Sequence, residues 1–348
     1  MAEPRRRAAR ETTGATRQVT MDDVAREAGV SVATVSNALL GRGRMLDSTR
    51  TRVLGIAARM NYTVNQNARN LRTARAGAIG VHLPENKSGL AYYMDFCFGV
   101  VDVAEEHSLA VTLIPGGRPE VALRAQVDGF VLVDPPVGDV VVEAILTTGK
   151  AVVSGDGTPP GLPEPSGLVA SDHRAGIRAV LEHLTERGAR RVALISAGRS
   201  ARWSADVEDA YLEWSSEHDR EPIVVGGSRL VDAATVESLT DSLLDGPKPD
   251  AIVAVPMDAA VGVVSVARDR GLDVGSELLV AGYTDSPSLS VSIPPITAVD
   301  AAPREFGRAC ARMLVRQLAD ADRPVPGEVE SFPIAFVERA STRGARVE

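Results

Sequence analysis

The distribution of apolar and polar positions divides the chain into a short helical head and a longer core. Between residues 19 and 62, apolar side chains recur at helical spacing in three short segments separated by glycine-containing turns. From residue 78 onward, continuous apolar runs alternate with amphipathic segments, beginning with a run at 79–83 and a helix at 95–106. Such alternation is typical of parallel sheets covered on both faces by helices. The pattern therefore predicts an all-α head followed by an α/β core.

The alternation in the core occurs twice, on either side of a loop rich in proline and glycine at residues 155–167. Two successive sets predict two doubly wound parallel-sheet lobes. The polar segments that flank the head have no hydrophobic period, and the first of them is predicted to be disordered. The predicted domains are an Arg-rich tail (1–18), the head (19–62), a hinge or linker (63–76) and the two-lobed core (77–340).

The first two helical segments of the head have the boundary signals of two helices joined by a tight turn. Thr20 and Asp23 have the spacing of a capping box, Gly29 ends the first helix, and Ser31 is a suitable N-cap for the second. This arrangement is a helix-turn-helix, whose second helix enters the major groove of DNA. We therefore predict that the head binds DNA. The alternative is that these residues only face solvent on a small helical domain.

The charge distribution agrees with a DNA-binding head. Residues 1–76 carry a net charge of +8, whereas the rest of the chain carries −16. A basic head on an acidic core indicates that the head alone meets a polyanion. For residues 1–18 the alternative is a solvated charged tail. Hydroxyls suited to phosphate oxygens are expected at the DNA surface, and they belong to Thr20, Ser31, Thr34 and Ser36.

Several function classes are disfavoured by composition and motifs. No apolar run reaches the roughly 18–20 residues of a membrane span, and no apolar segment follows the N-terminal arginines as in an export signal. The two cysteines, Cys97 and Cys310, suggest no disulfide framework, so a reduced cytoplasmic location is expected. The histidines are dispersed, and nucleophile or phosphate-loop motifs are missing. We therefore expect neither an enzyme nor a metal or cofactor site.

The head resembles that of the lactose-repressor (LacI/GalR) family. The resemblance is carried by DVAREAGVSVATVSNALLGRG and by STRTRVLGIAARMNYTVNQNARNLR. It implies that Val32, Ala33 and Asn37 read bases and that Arg44 approaches the DNA. Apolar side chains suit thymine methyl groups, and an asparagine can pair with adenine through two hydrogen bonds. Many relatives have arginine where this chain has Asn37, so the preferred half-site is left open.

The linker resembles the hinge helix of the same family. The resemblance implies that Leu71 wedges into the minor groove and kinks the duplex, with Arg69 and Arg72 near phosphates. Asn65 and Ala68 complete the expected hinge contacts. The alternative for Leu71 is a small contact between domains.

The core resembles the family's periplasmic-binding-protein-like domain over residues 77–340, in which the chain crosses between lobes three times. We expect the crossings near residues 171, 300 and 327. The first lobe would then comprise residues 77–170 and 300–326, and the second lobe residues 171–299 and 327–340.

The resemblance also implies a small-molecule effector in the cleft between the lobes, at the carboxyl ends of the strands. The residues expected to bind it are Tyr92, Tyr93, Asp156, Arg202, Trp203 and Asp258. Carboxylates suit sugar hydroxyls, because one carboxylate accepts hydrogen bonds from two of them. Asp258 has the alternative role of capping the helix that follows it. Met257 departs from the family pattern, so an effector other than an ordinary sugar, and loss of effector binding, are left open.

These features together predict a homodimeric regulator that binds a pseudo-palindromic operator and responds to a small effector, a sugar or related metabolite. The resemblance favours repression over activation. Two alternatives share the core architecture. One is a small-molecule (sugar) binding protein without a DNA-regulated output, which the fused head disfavours. The other is a sugar-modifying enzyme, for which the sequence offers no acid/base pair.

Overall fold

A computed structural model describes residues 19–39, 41–62, 75–85, 89–229, 231–319 and 327–344. The chain separates into two compact units, Met1–Arg75 and Ala76–Glu348. The predictions for the tail (1–18) lie outside the described residues. The same holds for the predicted hinge contacts, Asn65, Ala68, Arg69, Leu71 and Arg72.

The described part of the head contains three helices, α1 (Met21–Ala28), α2 (Val32–Leu39) and α3 (Asp47–Arg59). The capping box at the start of α1 is present. The Thr20 hydroxyl accepts a hydrogen bond from the Asp23 backbone N–H at 3.3 Å, and the Asp23 carboxylate accepts one from the Thr20 backbone N–H at 3.0 Å. Gly29, with φ 63°, ends α1. The three helices enclose a small apolar core centred on Val24, Val35 and Val53.

The core unit contains two six-stranded sheets, one in each lobe. The strands of the first sheet are β1 (Ala78–Leu83), β2 (Ala110–Pro115), β3 (Gly129–Val133), β4 (Ala151–Gly155), β5 (Gly167–Ser171) and β11 (Glu328–Phe332). Those of the second are β6 (Val192–Ser196), β7 (Ile223–Gly226), β8 (Ala251–Ala254), β9 (Leu279–Gly282), β10 (Thr297–Asp300) and β12 (Ala335–Val337).

The strand orders are β11-β5-β4-β3-β1-β2 and β12-β10-β9-β8-β6-β7, and all neighbours are parallel except β10 and β12. The helices of the first lobe are α4 (Leu90–Glu106), α5 (Pro119–Arg124), α6 (Val140–Leu146) and α12 (Pro303–Ala319). Those of the second are α7 (His173–Glu186), α8 (Arg202–Glu217), α9 (Ala233–Asp245), α10 (Ala259–Asp269) and α11 (Pro287–Val291). The predicted fold class, a helical head with two parallel-sheet lobes, is thus confirmed.

The third crossing between lobes lies later than the sequence pattern suggested. β11 pairs in parallel with β5, with Val329 opposite Leu168 and Ser331 opposite Ala170. The chain enters the second sheet only at β12, so the crossing is at residues 333–334, not near 327. The assignment of residues 327–340 to the second lobe is therefore wrong for β11. The alternation of apolar residues marks a strand but does not reveal which sheet edge accepts it.

The packing of α4 against α12 fixes the helix that carries the two cleft tyrosines. The helices approach so closely that a Cβ on Gly99 would lie 1.9 Å from the Arg304 carbonyl oxygen. A Cβ on Gly307 would similarly lie 2.1 Å from the Phe96 carbonyl oxygen. Only glycine permits this separation.

Among the residues that the structure describes, no helix is both long enough and apolar enough to cross a bilayer.

Candidate functional site

The exposed face of α2 carries the predicted base-reading residues of the head. Val32, Ala33 and Asn37 are exposed, whereas Val35 and Ala38 are buried against the other two helices. Exposure of Val32 is 39%, which is large for a valine on a small folded domain. The helix therefore holds one apolar pair and one amide on the side that faces away from its own core.

Two of the four predicted phosphate-contacting residues, Thr20 and Ser31, occupy the starts of helices, whereas Ser36 lies in the middle of α2. The Ser31 hydroxyl accepts a hydrogen bond from the Thr34 backbone N–H at 3.1 Å and lies 2.9 Å from the Thr34 hydroxyl. Ser31 thus caps α2. The Thr20 hydroxyl donates to the Asp23 carboxylate at 2.7 Å. Ser36 is half-buried, and Arg44 is exposed in the loop before α3.

A second candidate site is the cleft between the two lobes of the core, at the carboxyl ends of the parallel strands. It is lined by Gly89, Tyr92, Tyr93, Asp134, Asp156, His173, Ala197, Trp203, Arg229, Val255, Pro256, Met257, Tyr283, Thr284, Val299, Ala301 and Ile334. Aromatic and aliphatic side chains form most of this surface, and a few charged groups converge on it. This combination is typical of small-molecule sites.

Asp134 connects the two lobes. It directly follows β3, and its backbone is left-handed, with φ 50°. Its carboxylate accepts a hydrogen bond from the Tyr93 hydroxyl of the first lobe at 2.7 Å. It also accepts hydrogen bonds from the Trp203 indole N–H and the Arg229 guanidinium, both of the second lobe. Burial raises the pKa of the Asp134 carboxyl, although the charge of Arg229 opposes the rise.

Asp156 makes a second connection, one strand further along. It directly follows β4, also with a left-handed backbone (φ 59°), and its Oδ1 accepts from the Ser171 backbone N–H at 2.8 Å. Its Oδ2 lies 3.0 Å from His173 Nε2 at the start of α7. The N–H direction does not meet hydrogen-bond geometry, so this contact is mainly electrostatic. Burial lowers the pKa of His173, but the contact with Asp156 and the charges of Asp156, Asp134 and Asp206 together outweigh burial, so the pKa is raised overall.

Aromatic rings complete the cleft. The Trp203 and Tyr283 rings are almost parallel, at 8° with centroids 6.2 Å apart, and the Tyr283 hydroxyl lies 3.0 Å from His173 Nδ1. Tyr92 and Tyr93 meet edge to face, with centroids 5.6 Å apart. Burial, with a contribution from the Asp156 charge, raises the pKa of both Tyr92 and Tyr283 well above 10. These phenols therefore remain protonated hydrogen-bond donors.

Four of the six residues predicted for the effector site line the cleft, namely Tyr92, Tyr93, Asp156 and Trp203. Arg202 does not, because adjacent helical residues point about 100° apart and Trp203 takes the inward direction. The Arg202 Cδ instead lies 2.9 Å from where a Cβ on Gly157 would be.

Asp258 does not line the cleft either. It is exposed and left-handed (φ 60°), and its carboxylate accepts a hydrogen bond from the Ser286 hydroxyl at 2.6 Å. Asp258 is the N-cap residue of α10, in agreement with the alternative, but its side chain makes no capping hydrogen bond. The cleft surface at this strand end is formed by Pro256 and Met257 instead.

Sequence reasoning missed five polar residues of the cleft: Asp134, His173, Arg229, Tyr283 and Thr284. A usable signal existed for Asp134, which follows a predicted apolar strand just as Asp156 does. Arg229 gave no such signal, because it follows β7, a half-exposed strand that the apolar pattern did not reveal.

Both the head and the core of the chain match descriptions of known protein families. Residues 20–65 match the description "Bacterial regulatory proteins, lacI family", and residues 181–342 match "Periplasmic binding protein-like domain". The head thus matches the LacI family, and the later part of the core matches periplasmic-binding-protein-like domains. The resemblance inferred from the sequence is confirmed for these two regions.

The individual relatives with similar sequences are named as regulators. Catabolite control protein A of Staphylococcus xylosus is 28% identical, covering 91% of this chain and 98% of the relative. The ribose operon repressor of Halalkalibacterium halodurans is 27% identical, covering 93% and 97%. A lac repressor dimer bound to operator and the anti-inducer ONPF has the same fold, with TM-score 0.78, 24% identity and coverage of 94% and 99%. A complex of the regulator CelR with cellobiose has TM-score 0.68, 23% identity and coverage of 93% and 100%.

Proposed function

We propose that this protein is a LacI-family repressor that binds a pseudo-palindromic operator as a homodimer and is modulated by a small effector in the interlobe cleft. The observation that carries the proposal is the α2 surface, where Val32, Ala33 and Asn37 are exposed over a buried helical core. Such a face, at the start of the second helix of a helix-turn-helix, is positioned to read the major groove.

The proposed reading uses three kinds of contact. Val32 and Ala33 pack against thymine methyl groups, and Asn37 pairs with adenine through its amide. Hydroxyls and Arg44 contact phosphates, which fix the register of the head on the duplex. The linker (63–76) contributes the remaining contacts, with Leu71 as the minor-groove wedge and Asn65, Ala68, Arg69 and Arg72 beside it.

The cleft supports a ligand that carries hydroxyl groups and an apolar face. Asp134 and Asp156 are acceptors for hydroxyls, and Trp203 and Tyr283 offer ring faces. An effector that hydrogen-bonds Asp134 competes with Trp203 and Arg229, which hold the second lobe to that carboxylate. The effector thereby changes the relative stability of two lobe arrangements, which is the requirement for an allosteric effect.

Exposed apolar side chains on the core support homodimer formation. Val291 and Ile293, at the end of α11 and in the loop after it, are 78% and 73% exposed. A two-fold dimer uses the same patch on both subunits and matches the symmetry of a pseudo-palindrome. We place the protein with its DNA target in the cytoplasm.

The test is selection of bound sites from a random duplex pool by the purified full-length protein. Selection is run with and without sugars, nucleosides and phosphorylated metabolites. An enriched pseudo-palindrome is expected, and a compound that shifts the enrichment identifies the effector class. If no sequence is enriched at modest salt, the regulator proposal fails, and small-molecule binding by the core becomes the function to test.

A further inference from the structure

We propose that Gly43 is a positioning residue for DNA recognition, because its missing side chain sets the orientation of the Asn37 amide. Base preference at one half-site position would then depend on a residue that contacts no base. The inference rests on the proposed function, in which Asn37 reads DNA.

The loop that carries Gly43 is fastened to Asn37 through the backbone. The Arg42 N–H donates to the Asn37 carbonyl oxygen at 2.9 Å, and the Gly41 N–H donates to the Ala38 carbonyl oxygen at 3.3 Å. These two bonds form a Schellman-type end to α2, with Gly41 left-handed at φ 67°. The loop therefore leaves α2 in a defined direction and passes back over its last turn.

The side chain of Asn37 packs against that loop at Gly43. A Cβ on Gly43 would lie 3.3 Å from Asn37 Nδ2, 3.5 Å from its Cγ and 3.6 Å from its Cβ. Gly43, which has no side chain, therefore lies beside the Asn37 side chain from its Cβ to its amide nitrogen. Among the described residues no hydrogen bond holds the Asn37 amide. Contact with Gly43 is therefore the packing interaction that limits how the amide can rotate on this side.

The orientation of the amide matters because two-handed pairing with adenine needs both of its polar atoms. A methyl group 3.3 Å from Nδ2 forces the amide to move by a few tenths of an ångström or to rotate. Hydrogen bonds weaken steeply as they bend, so one of the two bonds to adenine would be lost first. Phosphate contacts elsewhere on the head would stay, so discrimination falls more than overall DNA affinity.

The experiment compares Gly43→Ala with Gly41→Ala in the full-length protein. Both glycines have positive φ, 77° and 67°, so both substitutions strain the backbone. Only the methyl at 43 meets Asn37, since a Cβ on Gly41 has nothing within 4 Å. The readout is the ratio of affinities for the selected operator and for an operator changed at the adenine that Asn37 reads. We expect Gly43→Ala to lower this ratio roughly three- to tenfold, part of what a bidentate contact supplies. Gly41→Ala keeps the backbone N–H that donates to Ala38 and places no methyl group near Asn37, so it should leave the ratio unchanged.

Two further variants keep the outcomes separate. In an Asn37→Ala background, Gly43→Ala should have no additional effect on the ratio. If Asn37→Ala itself leaves the ratio unchanged, the proposed reading role of Asn37 fails. If Asn37→Ala lowers the ratio but Gly43→Ala behaves like Gly41→Ala, the inference about Gly43 is overturned. Should either alanine variant melt the head, asparagine at 43 and at 41 repeats the comparison, because asparagine tolerates a left-handed backbone.

Discussion

The head and the cleft differ in how their functional residues are brought together. The reading face of the head lies within one helix and its following loop, and local hydrogen bonds at Ser31 and Gly41 shape it. The cleft gathers residues from position 89 to position 334, and its charged groups are paired across two lobes. A substitution in the local site of the head should remove one contact and affect little else. A substitution in the cleft, where residues from both lobes meet, should also lower the stability of the whole core. The four predictions below test this distinction.

The largest effect is expected from Asp134→Ala. The substitution removes the acceptor that the Arg229 guanidinium and the Trp203 indole share, and it breaks an ion pair whose Arg229 and Asp134 side chains are only 11% and 12% exposed. Breaking a buried ion pair from one side costs about 3–5 kcal/mol. Denaturant unfolding of the full chain measures the change. The control is Asp258→Ala, an exposed aspartate that also has a left-handed backbone, so it carries the same backbone strain but loses no buried ion pair and should cost clearly less. Equal losses in both variants would contradict the pairing described for Asp134.

Asn37→Ala should weaken DNA discrimination while leaving the stability of the protein almost unchanged. Discrimination at one half-site position falls by about 1–3 kcal/mol, the contribution of a bidentate contact. The free energy of unfolding should barely change, because the side chain is exposed. Site selection from random DNA checks the first point, and thermal unfolding checks the second. Recovery of an unchanged motif would exclude Asn37 as a reading residue.

Thr20→Ala tests the dependence of the head on local capping. The hydroxyl accepts from the Asp23 N–H within the capping box, so its removal should destabilise the head by about 1 kcal/mol. Thr20→Ser retains the acceptor and serves as the matched control. Denaturant unfolding followed by helix content gives the comparison. A serine variant as unstable as the alanine variant would show that the methyl group, not the cap, matters.

The smallest effect is a pH dependence carried by His173. Burial lowers the pKa of His173, but Asp156, with smaller contributions from Asp134 and Asp206, raises it above its usual 6.5 in the folded core. A raised pKa means that the stabilisation is fully present below about pH 6.5 and is lost as the pH rises through the folded value. Unfolding free energies of the wild type and His173→Gln, measured from about pH 6 to 9, should therefore converge at high pH. A difference that stays constant with pH would rule out a charged contact with Asp156.

Features that depend on local sequence could be predicted, whereas features that depend on long-range pairing could not. The helix boundaries at Thr20 and Gly29, and the parallel lobes, follow from periodicity and capping, which are local properties. The partner edge of β11 depends on long-range pairing, so the third crossing was misplaced. Cleft residues at strand ends, such as Asp156, were accessible to reasoning from topology. Arg229 was not, because its position depends on a short edge strand and on how closely the second lobe approaches Asp134.

The left-handed backbones at Asp134 and Asp156 restrict how this cleft can diversify. At such positions glycine, asparagine and aspartate are tolerated, whereas most side chains are strained. The first lobe can therefore present only a carboxylate, a carboxamide or bare backbone at these two strand ends. Other chemistry in the cleft must therefore come from positions whose backbones impose no such limit, which are Tyr92 and Tyr93 in the first lobe and Trp203, Arg229 and Tyr283 in the second.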